Sequence, residues 1–120
     1  MSAAGVLDRI NVEIGDTVFK EGEAGDRAYI VQEGCIEIVK DRAGTPVVLG
    51  TIEKGGIFGE MALIDNQPRM ASARAAAPST IVVVGRDVFT QKISRCDPFI
   101  RGLLGIFVRN LRTVTQDHAR

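Results

Sequence analysis

A single histidine and two cysteines are all the soft metal-ligand and nucleophile chemistry in this chain of 120 residues. His118 stands close to the C-terminus, in a tail expected to fray after Thr115. Cys35 and Cys96 lie far apart and in no metal-like spacing. Without clustered His, Asp or Glu there is no expected metal site, and clustered Cys or His for haem or redox sensing is missing too. No Ser-His or Cys-His pair is available to activate a nucleophile, so an enzyme is not expected. Charge of one sign is also missing. Fifteen Lys and Arg balance fifteen Asp and Glu, for a formal net charge of zero. The basic surplus that drives phosphate neutralisation is absent, which argues against nucleic acid as a partner. There is no acidic tail and no polybasic run. Long hydrophobic runs are lacking as well. Gly102 to Val108 is far too short to span a bilayer, so membrane insertion is not expected. Met1 to Asn11 shows no basic segment followed by a long apolar one, so no signal peptide is expected. Two lone thiols fit a reducing compartment, and a cytoplasmic protein follows as the expectation.

What is present reads as one folded unit over residues 1–120. Apolar residues make up 45% and charged residues 25%, enough to build a core without metals or disulfides. From about residue 9 to 85 the pattern is of strands and turns. Ile10 to Ile14 alternates, Gly15-Asp16 turns the chain, and Thr17 to Phe19 is a short strand. Ala28 to Val31 and Cys35 to Val39 flank Gln32-Glu33-Gly34, which reads as a hairpin turn with Gly34 at positive φ. Asp41 to Pro46 reads as the next turn, Val47 to Ile52 as the next strand, and Ala71 to Ala75 and Ile81 to Val84 as two more. Short strands with Gly-rich turns predict a sandwich, barrel or jelly roll.

From about residue 86 to 115 the period becomes helical. Val88, Phe89 and Ile93 share one face of a short helix. Asp97 is placed to N-cap a second helix with Pro98 at its first position. Phe99, Ile100, Leu103, Leu104, Phe107, Val108, Leu111 and Val114 then recur at three- and four-residue steps, with Arg101, Arg109 and Arg112 between them.

The segment with chemical content is Gly55-Gly56-Ile57-Phe58-Gly59-Glu60-Met61-Ala62-Leu63-Ile64. Glycine lets backbone approach a ligand, and the free N–H groups of a first helical turn favour a phosphate. Arg69, after Pro68 and before Met70-Ala71-Ser72-Ala73, can fork onto two phosphate oxygens. Its alternative is a solvated surface arginine. Glu60 beside an anion site makes sense if it faces a sugar hydroxyl; its alternative is a first-turn acid complementing the helix dipole.

Phe58 to Ile64, followed by Pro68-Arg69-Met70-Ala71-Ser72, resembles the phosphate-binding cassette of the cyclic-nucleotide-binding domain family, the type found in kinase regulatory subunits, cyclic-nucleotide-gated channels and the catabolite activator protein. A second signature agrees upstream: Phe19 to Asp26, then Tyr29-Ile30-Val31 and Gly34. The likeness covers roughly Ile10 to Leu111.

The resemblance implies a mainly β fold: an antiparallel β-roll (double-stranded β-helix or jelly roll) of about eight strands, a short cassette helix and two C-terminal α-helices. It implies a binding module for cAMP or cGMP, with no other cofactor. Arg69 would bind the exocyclic phosphate oxygens, Glu60 the ribose 2′-hydroxyl, and the amides of Gly59, Glu60, Met61 and Ala62 would complete the cradle. Phe58, Met70 and Ala71 would line the site. Asp26 would brace Arg69 or simply sit in its turn, and Ser72 would touch phosphate or a guanine amino group or simply bond backbone. Leu103, Leu104 and Phe107 would cap the base, or only pack the second helix on the roll. cAMP is favoured over cGMP, because it needs no special group, and ligand would shift the C-terminal helices. The expected partners are the nucleotide and an effector protein or fused output domain, with a homodimer through the C-terminal helix as a further option. The alternative function is a degenerate roll serving as a protein-interaction or dimerisation module.

Overall fold

The computed structural model describes residues 8–118. Eight strands come first: β1 (Asp8–Val12), β2 (Thr17–Phe19), β3 (Arg27–Glu33), β4 (Cys35–Arg42), β5 (Thr45–Glu53), β6 (Ile57–Phe58), β7 (Ser72–Ala75) and β8 (Ser79–Gly85). A short helix, α1 (Met61–Asp65), interrupts them between β6 and β7, and α2 (Arg86–Ser94) and α3 (Pro98–His118) follow. The strands form two four-stranded antiparallel sheets, ordered β1-β8-β3-β6 and β2-β7-β4-β5. This is the mainly β roll with a short internal helix and C-terminal helices that the sequence predicts.

Apolar side chains from both sheets meet in one core, including Phe19, Tyr29, Val31, Ile36, Phe58, Ala73 and Ile81. Strand alternation puts them there. On β4 the buried residues are Ile36 and Val39, out of strict alternation. The phase of β4 itself is unbroken: its pairing with β7 is regular, the extra residue in its pairing with β5 is Leu49 of β5, Ile38 packs on the core with Ile36, and Val39 is buried on the opposite face beside Thr17, Lys20 and Glu21.

Gln32-Glu33-Gly34 is not a hairpin turn. β3 pairs with β6 and β8, whereas β4 pairs with β5 and β7, so the chain changes sheets at Gly34. Gly34 has φ 103°, and a Cβ there would lie 2.1 Å from Ser79 Oγ. That hydroxyl accepts from the Cys35 amide at 3.0 Å and donates to the Ala77 carbonyl at 2.8 Å, welding the corner to the start of β8. A positive-φ glycine between two strands looks the same at a corner and at a hairpin, because partner choice depends on remote strands.

The expected turn over Asp41 to Pro46 is shorter in the structure. Asp41 pairs with Pro46 and Arg42 with Thr45, leaving Ala43 (φ 52°) and Gly44 (φ 89°) as the two-residue loop. Pro46 is tolerated because β5 is an edge strand. Asp97 does cap α3: its carboxylate accepts from the Phe99 amide at 2.7 Å. α3 is helical to His118, three residues past Thr115, with no glycine or proline after Gly105 to stop it. Among the described residues no helix is long and apolar enough to cross a membrane.

Candidate anion-binding site

β6 ends at Phe58, Gly59 turns with φ 80°, and α1 starts two residues later. Glycine is required at 59: a Cβ would come within 2.9 Å of Arg69 Nη1 and 3.1 Å of the Phe19 and Tyr29 rings. The carbonyl of Glu60 accepts from the Leu63 and Ile64 amides. The amides of Glu60, Met61 and Ala62 stand before that first turn closes and donate to no backbone carbonyl among the described residues.

A cavity of about 200 Å³ opens beside this turn. Phe58, Gly59, Glu60, Met61 and Ala62 line it from one side, and Arg69, Met70 and Ala71 from another. Two chain segments ten residues apart thus share one wall. The upstream signature reaches the same place. The Gly22 amide donates to the Arg69 carbonyl and the Arg69 amide donates to the Glu23 carbonyl, both at 2.8 Å. This two-bond clamp fixes the backbone of Arg69 against the loop that follows Phe19.

Arg69 is the unusual residue. It is 5% exposed. Nη1 donates to the Gly59 carbonyl at 2.6 Å and Nη2 to the Arg27 carbonyl at 2.9 Å. Phe19 stacks on the guanidinium, with Cζ 4.0 Å from the ring centroid. Nε is buried and has no hydrogen-bond partner. No carboxylate forms an ion pair with it among the described residues. Burial pushes its pKa below the ordinary value, and the fields of Tyr29, Asp26, Glu23 and Glu60 oppose that. Neutral carbonyls satisfy N–H groups but do not neutralise a buried charge. The arrangement is electrostatically suited to an anion.

Glu60 lines the same cavity and is half-buried. Burial raises its pKa above the ordinary carboxylate value, against its own backbone amide and Arg69. The pocket wall therefore carries a fixed cation and, next to it, a carboxylate able to accept from a hydroxyl.

Other candidates lie apart. The Asp26 carboxylate is 78% exposed, 3.8 Å from Arg27 Nε, and makes no hydrogen bond to Arg69. The Ser72 hydroxyl accepts from the Glu21 amide at 2.9 Å and faces a different groove. Leu103 and Leu104 are half-buried and Phe107 is exposed; none of the three lines the cavity. The residue of α3 that does so is Arg112. Its guanidinium grips the Asp65 carboxylate through two nitrogens and donates to the Pro68 carbonyl at 3.0 Å. In the sequence Arg112 reads only as a charge on an amphipathic helix, because no periodicity reveals a tertiary ion pair. Phe19, Ile38, Ile52 and Ile57 also line the cavity, and their apolar strand pattern reads only as core. No group of three His, Cys, Asp or Glu able to hold a metal occurs among the described residues.

Comparison with known proteins agrees with this geometry. A family model described as cyclic nucleotide-binding domain matches residues 9–96. The cAMP-dependent protein kinase regulatory subunit of Emericella nidulans is 34% identical over 82% of this chain and 23% of its own length. That of Blastocladiella emersonii is 30% identical over 98% of this chain and 27% of its own. The chain thus spans about a quarter of the length of these curated relatives. Among solved structures, the EAL enzyme Bd1971 in its cAMP-bound form superposes with a TM-score of 0.87 at 32% identity, covering 93% of this chain and 30% of that one. Its cGMP-bound form gives 0.85 at 34% identity, covering 92% and 30%. A shared roll, the matched residues and a buried arginine set beside a glycine turn place the chain in the cyclic nucleotide-binding domain family.

Proposed function

We infer that this chain binds a cyclic nucleotide, cAMP in preference to cGMP, as a sensor or regulatory module without catalytic turnover. The observation that carries this reading is Arg69: a guanidinium 5% exposed, with an unpartnered Nε and no carboxylate partner among the described residues. A cyclic phosphate supplies the missing negative charge, and charge-assisted bonds to it are worth about 1.5–3 kcal/mol each. The amides of Met61 and Ala62 are the remaining donors. Glu60 accepts from the ribose 2′-hydroxyl, and Ile38, Ile52 and Ile57 offer apolar wall for the base. The relatives named as regulatory subunits, and a neighbour solved with cAMP and with cGMP, support a cyclic nucleotide as the ligand class.

The preference for cAMP rests on Ser72. Its hydroxyl is bonded to the Glu21 amide and turned away from the cavity, so it offers nothing to a guanine amino group. Signalling follows from α3. Arg112 couples that helix to α1 beside the ligand wall, so occupancy of the cavity biases where α3 rests, and an effector or fused output domain reads the shift.

Titration calorimetry with cAMP, cGMP and linear AMP tests the reading. cAMP is expected to bind more tightly than cGMP, and AMP at least about 100-fold more weakly than cAMP, a gap of roughly 2.7 kcal/mol. Absence of binding by either cyclic nucleotide would refute the function, and a preference for cGMP would refute the role given to Ser72.

A further inference from the structure

Two arginines hold the segment Gly25-Asp26-Arg27 in place: Arg69 itself and Arg86, which lies outside the cavity wall. At one end Arg69 Nη2 donates to the Arg27 carbonyl at 2.9 Å. At the other, Arg86 Nη2 donates to the Gly25 carbonyl at 2.8 Å. The same guanidinium uses Nη1 to reach Asn66 Oδ1 at 2.9 Å. Asn66 is the left-handed C-cap of α1, with φ 56°. Arg86, the first residue of α2, therefore joins the two pieces of chain that flank Arg69: the Gly25 loop and the far end of α1.

Gly25 is not at positive φ, so its backbone conformation does not call for glycine. Space does. A Cβ at this position would lie 2.6 Å from Arg69 Cζ, 2.7 Å from Arg69 Nε and 2.8 Å from Ala62 Cβ. The Cζ and Nε atoms are the root of the fork, not its mobile tips. Gly59 presses Nη1 from another direction, at 2.9 Å for its own hypothetical Cβ. The guanidinium thus lies in a sleeve whose sides are the Cα atoms of two glycines and the Phe19 ring.

The geometry points to Gly25 and Arg86 as positioning residues for the ligand-binding guanidinium: Gly25 leaves the room in which Arg69 lies flat, and Arg86 pins the Gly25 peptide so that this room keeps its shape. The proposal rests on the cyclic-nucleotide reading of the cavity. Both bonds of Arg86 go to neutral oxygens, and it pairs with no carboxylate among the described residues. It acts as a planar fork between two carbonyl-type acceptors, a task that geometry rather than charge performs. A fork placement wrong by about 1 Å is enough to spoil a bidentate contact.

The test is a double-mutant cycle read by cAMP titration. Arg86→Gln removes the fork without adding atoms, and Gly25→Ala adds one carbon against Arg69. Each is expected to lower cAMP affinity by about ten-fold in the wild-type background. In an Arg69→Lys background, where no planar fork remains to be misplaced, each is expected to cost less than about two-fold. Equal losses in the two backgrounds would overturn the proposal, because a merely structural role is additive. Unchanged affinity in Arg86→Gln would overturn it as well. If Gly25→Ala does not fold, the Arg86→Gln pair of measurements decides. A wild-type chain that binds no cyclic nucleotide would defeat the function itself, whereas wild-type binding with an additive cycle defeats only the positioning role.

Discussion

Arg69 and Glu60 face one cavity, and burial works against the charge of both. For Arg69 the consequence is a site that gains most from an anion. Arg69→Ala is expected to weaken cAMP binding about 100-fold, or roughly 3 kcal/mol, because a buried charge pair is lost and the phosphate is left with amides alone. Calorimetry on the variant checks this, and unchanged affinity would refute it. For Glu60 the sign is worked out from its raised pKa. The group binds its proton more tightly folded than unfolded, so its stabilising effect is complete below the ordinary value of 4.5 and is lost as pH rises through the raised one. Glu60→Gln is therefore expected to raise the melting temperature of the ligand-free chain at pH 7 and to flatten its decline above pH 4.5. The same variant should bind cAMP about five-fold more weakly and a 2′-deoxy ligand unchanged, since a neutral acceptor is worth about 1 kcal/mol less than a charged one. Both residues stand out in the sequence only through their local pattern. Their burial, and the carbonyls that hold Arg69, come from segments 10 to 42 residues away.

Among the elements, α3 touches the ligand wall through one ion pair. Arg112 and Asp65 are 13% and 12% exposed, buried enough that breaking the pair by removing one partner strands the other charge. Asp65→Asn is expected to speed amide exchange across residues 98–113 by about ten-fold, as α3 loses its anchor on α1, while β3 and β8 stay protected. Uniform protection in the variant would sink that coupling. The corner at Gly34 is the second element-level test. Gly34→Ala must accommodate both a φ of 103° and a Cβ set 2.1 Å from Ser79 Oγ. A loss of at least about 2 kcal/mol in chemical denaturation is expected. The strands themselves were legible from alternation and the C-terminal helices from their period. Their pairing was not: the change of sheet at Gly34, the two-residue loop at Ala43-Gly44 and the tiny β6 follow from remote partners.

For the whole molecule, ligand and fold are linked by mass action. A ligand present at 100 times its dissociation constant adds about 2.7 kcal/mol of stability, which for a domain of this size raises the melting temperature by roughly 10 °C. A thermal-shift series with cAMP should reach that rise and scale with concentration, and a flat series would contradict binding. Strand and helix content and the candidate pairing of a glycine turn with an arginine were legible in the residues alone, because these depend on short-range pattern and residue type. Which arginine is buried without a counter-charge, which second arginine lines the cavity, and where Asp26, Ser72 and Phe107 point were decided by tertiary structure alone. Those outcomes depend on which distant backbone carbonyls and carboxylates the two sheets and three helices bring within 3 Å of a guanidinium, and no local pattern encodes that distance.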